Sequence, residues 1–163
     1  LSHSELDYIS FRLATVLAPR CVVGAVPTFY KRLLEGKDCF CSDTVRDFMG
    51  LNDFLRLIDI SLQDSSPKGI FNASTGLGVS MKFIHNTIAE ILGIKEFNEP
   101  PIVEAGKDDI HELVLDPSET NAAFAWQTTT SLKEDLEKLI GWYQTNGLMT
   151  IYSHVLKPDL EKN

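Results

Sequence analysis

Tyr8-Ile-Ser-Phe-Arg-Leu-Ala-Thr-Val-Leu17 is rich in β-branched and aromatic residues and apolar on both alternating faces. That pattern predicts a strand covered on both sides, ended by Ala18-Pro19-Arg20. A helix is predicted over 26–35, with Phe29/Leu33 and Tyr30/Leu34 one turn apart and Gly36 as its stop. A short strand over 38–41, a polar turn and Arg46-Asp47-Phe48-Met49 follow. Asp53 is predicted to cap a second helix, whose Phe54, Leu57, Ile58 and Leu62 make a 3.6-residue stripe. Residues 63–68 read as a loop, and Gly69-Ile-Phe-Asn-Ala73 as a strand.

Beyond this, Ser80 caps a helix carrying Ile84, Ile88, Ile91 and Leu92 on one face, closed by Gly93. Asn98-Glu-Pro-Pro101 breaks regular structure, and strand-like pieces surround Ile102 and span 113–115. Asp116-Pro-Ser-Glu119 and Ser131-Leu-Lys-Glu134 read as capping boxes, the first with Pro at N1. Leu132, Leu136, Leu139, Ile140 and Tyr143 form the last apolar stripe, and 148–163 show no pattern. Alternating strands and helices make the class α/β. Only 8–17 and 69–73 read as central parallel strands, too few for a self-sufficient doubly wound sheet. With Leu1 in place of an initiating Met, the chain is expected to be a piece that needs a partner segment.

The 163 residues are 44% hydrophobic, enough for a core of one domain. No apolar run reaches membrane-spanning length and no signal-peptide pattern opens the chain, so a soluble, cytoplasmic protein is expected. Lys+Arg 15 against Asp+Glu 23 gives a net charge of −8, which disfavours binding to nucleic acid or anionic membrane. Cys21, Cys39 and Cys41 are too sparse for a disulfide framework, which suits a reducing compartment. Cys39 and Cys41 would share one strand face. Without a second Cys pair, and with the four His scattered, they read as buried thiols and no metal site is expected.

Several pieces, taken in order, resemble the C-terminal half of the extended short-chain dehydrogenase/reductases, the nucleotide-sugar epimerases and dehydratases. Where that family has Arg-Leu-x-Asn-Val-Tyr-Gly-Pro-Arg, this chain has Arg12-Leu-Ala-Thr-Val-Leu-Ala-Pro-Arg20. Val26-Pro27 matches the apolar-Pro step that opens a helix, and Arg46-Asp-Phe-Met-Gly-Leu-Asn-Asp53 the Arg-Asp-Phe-x-x-x-x-Asp run. Ile70-Phe-Asn-Ala-Ser-Thr-Gly76 stands for a Tyr-Asn-Ile-Gly-like strand. Leu115-Asp-Pro-Ser118, Phe124-Ala-Trp126, Ser131-Leu-Lys-Glu134 and Trp142-Tyr143 match the closing segments. The resemblance covers 7–146, and it rests on the order of the pieces, since no single one is specific.

The resemblance implies that 1–20 and 69–95 pack on a Rossmann-type sheet, that 21–68 and 96–146 form a small α/β substrate-binding part, and that 147–163 is a tail. It implies an NAD-dependent (or NADP-dependent) enzyme that oxidises a sugar hydroxyl and then returns the hydride. A 4-epimerase of a UDP-hexose or UDP-N-acetylhexosamine, serving bacterial surface polysaccharide, is the first reading. A dehydratase or reductase of the same family and a non-catalytic relative are the alternatives. The implied partners are the nucleotide-sugar and the N-terminal Rossmann half, through which a homodimer forms. The family's catalytic Tyr-x-x-x-Lys is not in this chain, because Tyr8, Tyr30, Tyr143 and Tyr152 lack a Lys four residues on. Gly76-Leu-Gly78 lacks the third glycine of a dinucleotide loop and reads as a strand-to-helix turn.

By the same resemblance Leu13, Ala14 and Thr15 border the cofactor. Thr15, Ala25, Val26, Pro27, Phe40, Ser42, Arg46, Asp109 and Leu113 border the substrate. Arg46 would reach the diphosphate or ribose of the sugar nucleotide, and a guanidinium fork suits paired phosphate oxygens; otherwise it is a surface ion pair with Asp47 or Asp53. Thr15 replaces an Asn, and a strand-favouring Thr is the plain reading. Ala25, Val26 and Pro27 would act through backbone groups at a helix N-terminus. Phe40 and Ser42 would face the base, although Phe40 reads equally as core packing. Gly106 stands where epimerases commonly have an Arg of Arg-x-Gly-Asp, while Asp109 keeps the acid. Leu113 would border the sugar, or else alternate with Leu115 on a core face.

Overall fold

The computed structural model describes residues 7–148. In chain order the elements are β1 (Ile9–Leu13), β2 (Thr15–Leu17), α1 (Ala25–Leu34), β3 (Cys41–Ser42), β4 (Val45–Gly50) and α2 (Leu51–Ser61). Then come β5 (Gly69–Ala73), β6 (Gly78–Ser80), α3 (Met81–Ile91), β7 (Ile102–Val103), β8 (Glu112–Leu113), α4 (Ser118–Phe124) and α5 (Leu132–Asn146). The α/β class holds. Of the tail expected over 147–163, residues 149–163 lie outside the described residues.

The strand predicted over 8–17 is two strands serving two sheets. β1 pairs in parallel with β5, Ile9 opposite Gly69 through Leu13 opposite Ala73. The Ala14 N–H still bonds Ala73 O, at 2.9 Å. One residue later the chain has changed partners, and β2 runs parallel to β4, Thr15 opposite Phe48. Alternation reports how a segment is buried and carries no information on which strand it pairs with, so the break at Ala14 was not visible in it. β4 is the centre of the second sheet: its first half lies between antiparallel β6 and parallel β8. β3 and β7 form a separate parallel pair.

Two cores follow from this division. Tyr30, Leu33, Phe48, Ile84, Ile88, Leu136, Ile140 and Tyr143 bring α1, α3 and α5 onto the β4 sheet. Met49, Leu57, Phe71, Ala73, Phe124 and Trp126 join α2 and α4 to the β1–β5 pair. The Phe71 and Phe124 rings meet edge-on at 4.8 Å. Ile9 and Phe11 pack on this second core, but on the opposite face of the pair Ile70 is 46% exposed. Coverage of both faces, predicted from the apolar pattern, is therefore met on one face among the described residues.

Several local expectations are corrected. The short strand is Cys41–Ser42 and not 38–41. Leu62 lies outside the α2 stripe as an exposed C-cap. Asp116 accepts from the Ser118 N–H at 2.9 Å, yet α4 begins after Pro117 and has no reciprocal bond from Glu119, so that box is half formed. Ser131 and Glu134 form theirs completely, and Ser80 Oγ caps α3 at Phe83 N.

Asp53 is the largest correction. Gly50, not Asp53, is the N-cap of α2. The Asp53 carboxylate is buried and turns away to the Thr129–Thr130 segment, accepting both backbone N–H groups and both hydroxyls, while Arg56 donates to it at 2.6 Å. Trp126 Nε1 donates to Asp53 O at 3.1 Å. One acid thus ties α2 to the chain between α4 and α5.

Gly50 sits against the other acid of this cluster. A Cβ there would clash with Cγ and both carboxylate oxygens of Asp135. Its φ of −70 needs no glycine, so the requirement is one of space. We expect Gly50→Ala to cost about 1–3 kcal/mol by overpacking, read as a lower denaturation midpoint at constant m-value. An unchanged midpoint would mean that α5 shifts freely to make room.

Candidate functional site

α1 opens without a side-chain cap. Gly24 holds φ 106, a conformation that L-residues rarely adopt, and its side-chain-free backbone leads directly into the helix. Val26 and Pro27 are buried and anchor the first turn in the core. Pro27 has no N–H, so the donors at this terminus are backbone groups of Ala25 and Val26, with the positive end of the helix dipole behind them.

A cleft of about 320 Å³ lies along the same helix, lined by Ala25, Thr28, Arg32, Phe40 and Ser42 among others. The structure therefore brings together three residues picked from sequence: Ala25, Phe40 and Ser42. Phe40 is 62% exposed, so its core-packing reading is overturned. Its neighbours Cys39 and Cys41 point inward and are buried, and burial pushes both thiols up from their ordinary value. A wider cleft of about 530 Å³ lies toward the other end of α1, lined by Lys37, Asp38, His85 and Phe97, and it holds none of the residues picked from sequence.

Arg46 lies in the first half of β4, opposite Leu113 of β8 on one side and Val79 of β6 on the other. Its Nη1 donates to Val45 O at 2.8 Å and to His111 O at 3.3 Å. The ion pair with Asp47 or Asp53 is not formed. Asp53 takes Arg56. Asp47 is 2% exposed on the other strand face, where it accepts from Thr75 Oγ1 and from the N–H groups of Thr75 and Gly76. Among the described residues Arg46 has no carboxylate partner and is held only by carbonyls.

Asp47 is the residue that the sequence reading passed over. It fixes the loop after β5, where Gly76 takes φ 75. With the Gly76 N–H given to Asp47 at 2.9 Å, that loop is a structural turn and not a phosphate cradle. No strand was predicted over Arg46-Asp47-Phe48-Met49, so its alternation was not used to put Asp47 on the core face, where an acid demands donors.

The remaining picks are dispersed. Leu13 and Thr15 are exposed on either side of the strand change, and Ala14 between them is buried. Leu113 is 41% exposed, which removes the reading that places it on a core face with Leu115. Asp109 is exposed and accepts from Gly106 N at 3.0 Å, closing its own turn, and it does not line the Phe40 cleft. The tyrosines of the core offer no catalytic phenol: burial pushes Tyr30 and Tyr143 up, and Tyr143 donates to Cys21 O. No group of three or more potential metal ligands occurs among the described residues. No helix among them is long and apolar enough to cross a membrane.

No family model and no curated protein matches the chain. Solved structures do. The Bordetella bronchiseptica enzyme WbmG, in complex with NAD and UDP, is 42% identical with a TM-score of 0.88, over 94% of this chain and 50% of that one. WbmH of the same organism, in complex with NAD+, is 35% identical with a TM-score of 0.82, over 90% of this chain and 49% of that one. A UDP-glucose 4-epimerase from Thermotoga maritima with UDP-glucose shares the fold at 24% identity and a TM-score of 0.77, over 88% of this chain and 48% of that one. The chain spans about half the length of the structures it matches. With the ordered motifs, the parallel β1–β5 and β2–β4 pairs and this level of identity, the chain belongs to the extended short-chain dehydrogenase/reductase family of NAD-dependent nucleotide-sugar epimerases and dehydratases.

Proposed function

We propose that this chain supplies the sugar-nucleotide-binding half of an NAD-dependent 4-epimerase acting on a UDP-hexose or UDP-N-acetylhexosamine. The observation that carries the reading is the cleft along α1, which the uncapped start of the helix at Ala25 and an exposed aromatic ring both line. An anionic diphosphate suits the first and a planar base suits the second. WbmG, crystallised with NAD and UDP, supports the choice of ligands.

The rest of the proposal concerns what this half borders. Residues 1–20 and 69–95 would lie against the Rossmann sheet of the nucleotide-binding half, where Ile70 and Leu13 present apolar surface. Of the cofactor-side residues, the Ala14 N–H is already given to Ala73, so the exposed rim of Leu13 and Thr15 is what fits a nicotinamide. When bound, NAD supplies reversible hydride acceptance. This chain's task is to bind the nucleotide and leave the sugar free to turn, with Arg46 on the diphosphate and Asp109 nearby. The acid/base Tyr and its Lys belong to the other half, through which a homodimer forms. The full-length enzyme, loaded with NAD, is expected to interconvert the C4 epimers of a UDP-sugar, followed by product chromatography. Loss of water from the sugar would make it a dehydratase, and binding without turnover a non-catalytic relative.

Leu113, opposite Arg46, is proposed to border the sugar. Leu113→Tyr is expected to depress kcat/KM for the N-acetylated sugar by about 10-fold, the range of a methylene-scale steric difference, while sparing the plain hexose. The comparison is of both UDP-sugars in both proteins, as transition-state free energies. An equal loss on the two substrates leaves Leu113 a packing residue.

A further inference from the structure

Arg32 is the one charged side chain that lines the Phe40 cleft among the described residues. It sits on α1 seven residues after Ala25, and Ala25, Thr28 and Arg32 fall on the helix face that looks into the groove. At 1.5 Å per residue this places Arg32 about 10 Å from the helix N-terminus, two turns along. The other side-chain donors of the groove are spent locally. Thr28 Oγ1 donates to Gly24 O at 2.8 Å, and Ser42 Oγ is paired with Thr44 Oγ1 at 2.8 Å. Arg32 uses Nη1 on Asp38 O, which ties the guanidinium to the chain just before Phe40 and leaves its other N–H groups to a ligand.

We infer that Arg32 is the specificity-determining residue for the base of the nucleotide, selecting a pyrimidine with a carbonyl at C4 over one with an amino group there. The inference rests on the nucleotide reading of the cleft given above. A diphosphate held at the uncapped start of α1, at Ala25, directs the nucleoside along the helix. Phe40 then offers its face to the base, and Arg32 meets the base edge. A guanidinium donates only. It matches uracil, whose C4 oxygen accepts, and it opposes cytosine, whose C4 amino group brings a second donor to the same place. The hydrogen bond from a charged donor, which the uracil oxygen accepts and the cytosine amino group cannot, is what discriminates.

The test titrates UDP and CDP calorimetrically into the full-length protein and its Arg32→Ala and Arg32→Glu variants. Wild type is expected to favour UDP by about 10-fold or more. Arg32→Ala lowers UDP affinity by about 10- to 100-fold and leaves CDP nearly unchanged. Arg32→Glu replaces the donor by an acceptor and shifts the ratio toward CDP; both ligands carry the same diphosphate, so charge repulsion cancels in the ratio. Since Arg32 also ties α1 to Asp38, a variant that merely loosens the fold loses both ligands alike, and that outcome overturns the inference. So does an unchanged ratio in Arg32→Glu. Wild type binding UDP and CDP equally would sink the base selection while leaving the nucleotide cleft standing. Wild type binding neither would sink both.

Discussion

Asp53→Ala is expected to lower stability by about 3–5 kcal/mol, the cost of leaving the partners of a buried, paired carboxylate without it. For a domain near 150 residues that is a fall in Tm on the order of 10 °C. Four donors from Thr129 and Thr130 and one from Arg56 would lose their acceptor together. The same network sets a pH signature. Burial alone would push the Asp53 carboxyl up, but the hydrogen bonds from Arg56, from the Thr129 side chain and from the two backbone N–H groups outweigh it and hold the group at about 2. A folded value below the unfolded one, about 3.9, means that the stabilisation is present above pH 4. It is lost as pH falls from about 4 through 2, and it amounts to about 2 kcal/mol.

Asp135 behaves in the opposite direction. Burial raises its carboxyl, with the Thr130 hydroxyl and Lys138 opposing and the Asp53 charge reinforcing the rise. Thr130 Oγ1 lies 3.0 Å from Asp53 and 2.9 Å from Asp135, yet it has one proton to give. That proton can go to only one of the two acids at a time. A raised folded value contributes stability at low pH that is lost as pH rises through it, so of these two acids only Asp53 adds to the acid limb. Thermal melts from pH 2 to 6 should show that limb flattened in Asp53→Asn and kept in Asp135→Asn. Superimposable acid limbs in wild type and Asp53→Asn would refute the assignment.

The second large effect is on binding. Arg46→Ala is expected to weaken UDP-sugar binding by about 10- to 100-fold, the loss of a charge-assisted contact, with NAD affinity unchanged. The structure strengthens the physical case in one respect: both acids that would neutralise this arginine are engaged elsewhere, Asp47 with Thr75 and Gly76 and Asp53 with Arg56. Val45 O and His111 O orient the guanidinium without lowering its charge. Calorimetry on the full-length protein with each ligand in turn decides the matter. Equal UDP-sugar affinities for wild type and variant would make Arg46 a structural residue whose task is to hold the Val45 and His111 carbonyls.

Helix placement was legible in the sequence because its causes are local. Ser80 and Ser131 satisfy N–H groups within three residues, and the Ile84/Ile88 and Leu136/Ile140/Tyr143 stripes follow from a fixed 3.6-residue turn. Val26-Pro27 announced the helix whose terminus opens the cleft, and the ordered motifs announced the family. Pairing was not legible, because a strand's partner is distant in sequence. Ala14 divides one apolar run between β5 and β4, and nothing within 8–17 states which neighbour arrives. Charge partners failed for the same reason. Asp47 and Asp53 stand beside Arg46 in the chain, yet the strand turns Asp47 to the opposite face and the first turn of α2 carries Asp53 to Thr129, 76 residues away. What the sequence alone determined was each residue's local periodicity and capping. Which polar groups meet was decided by the tertiary structure, since a buried acid goes to wherever packing leaves unsatisfied donors.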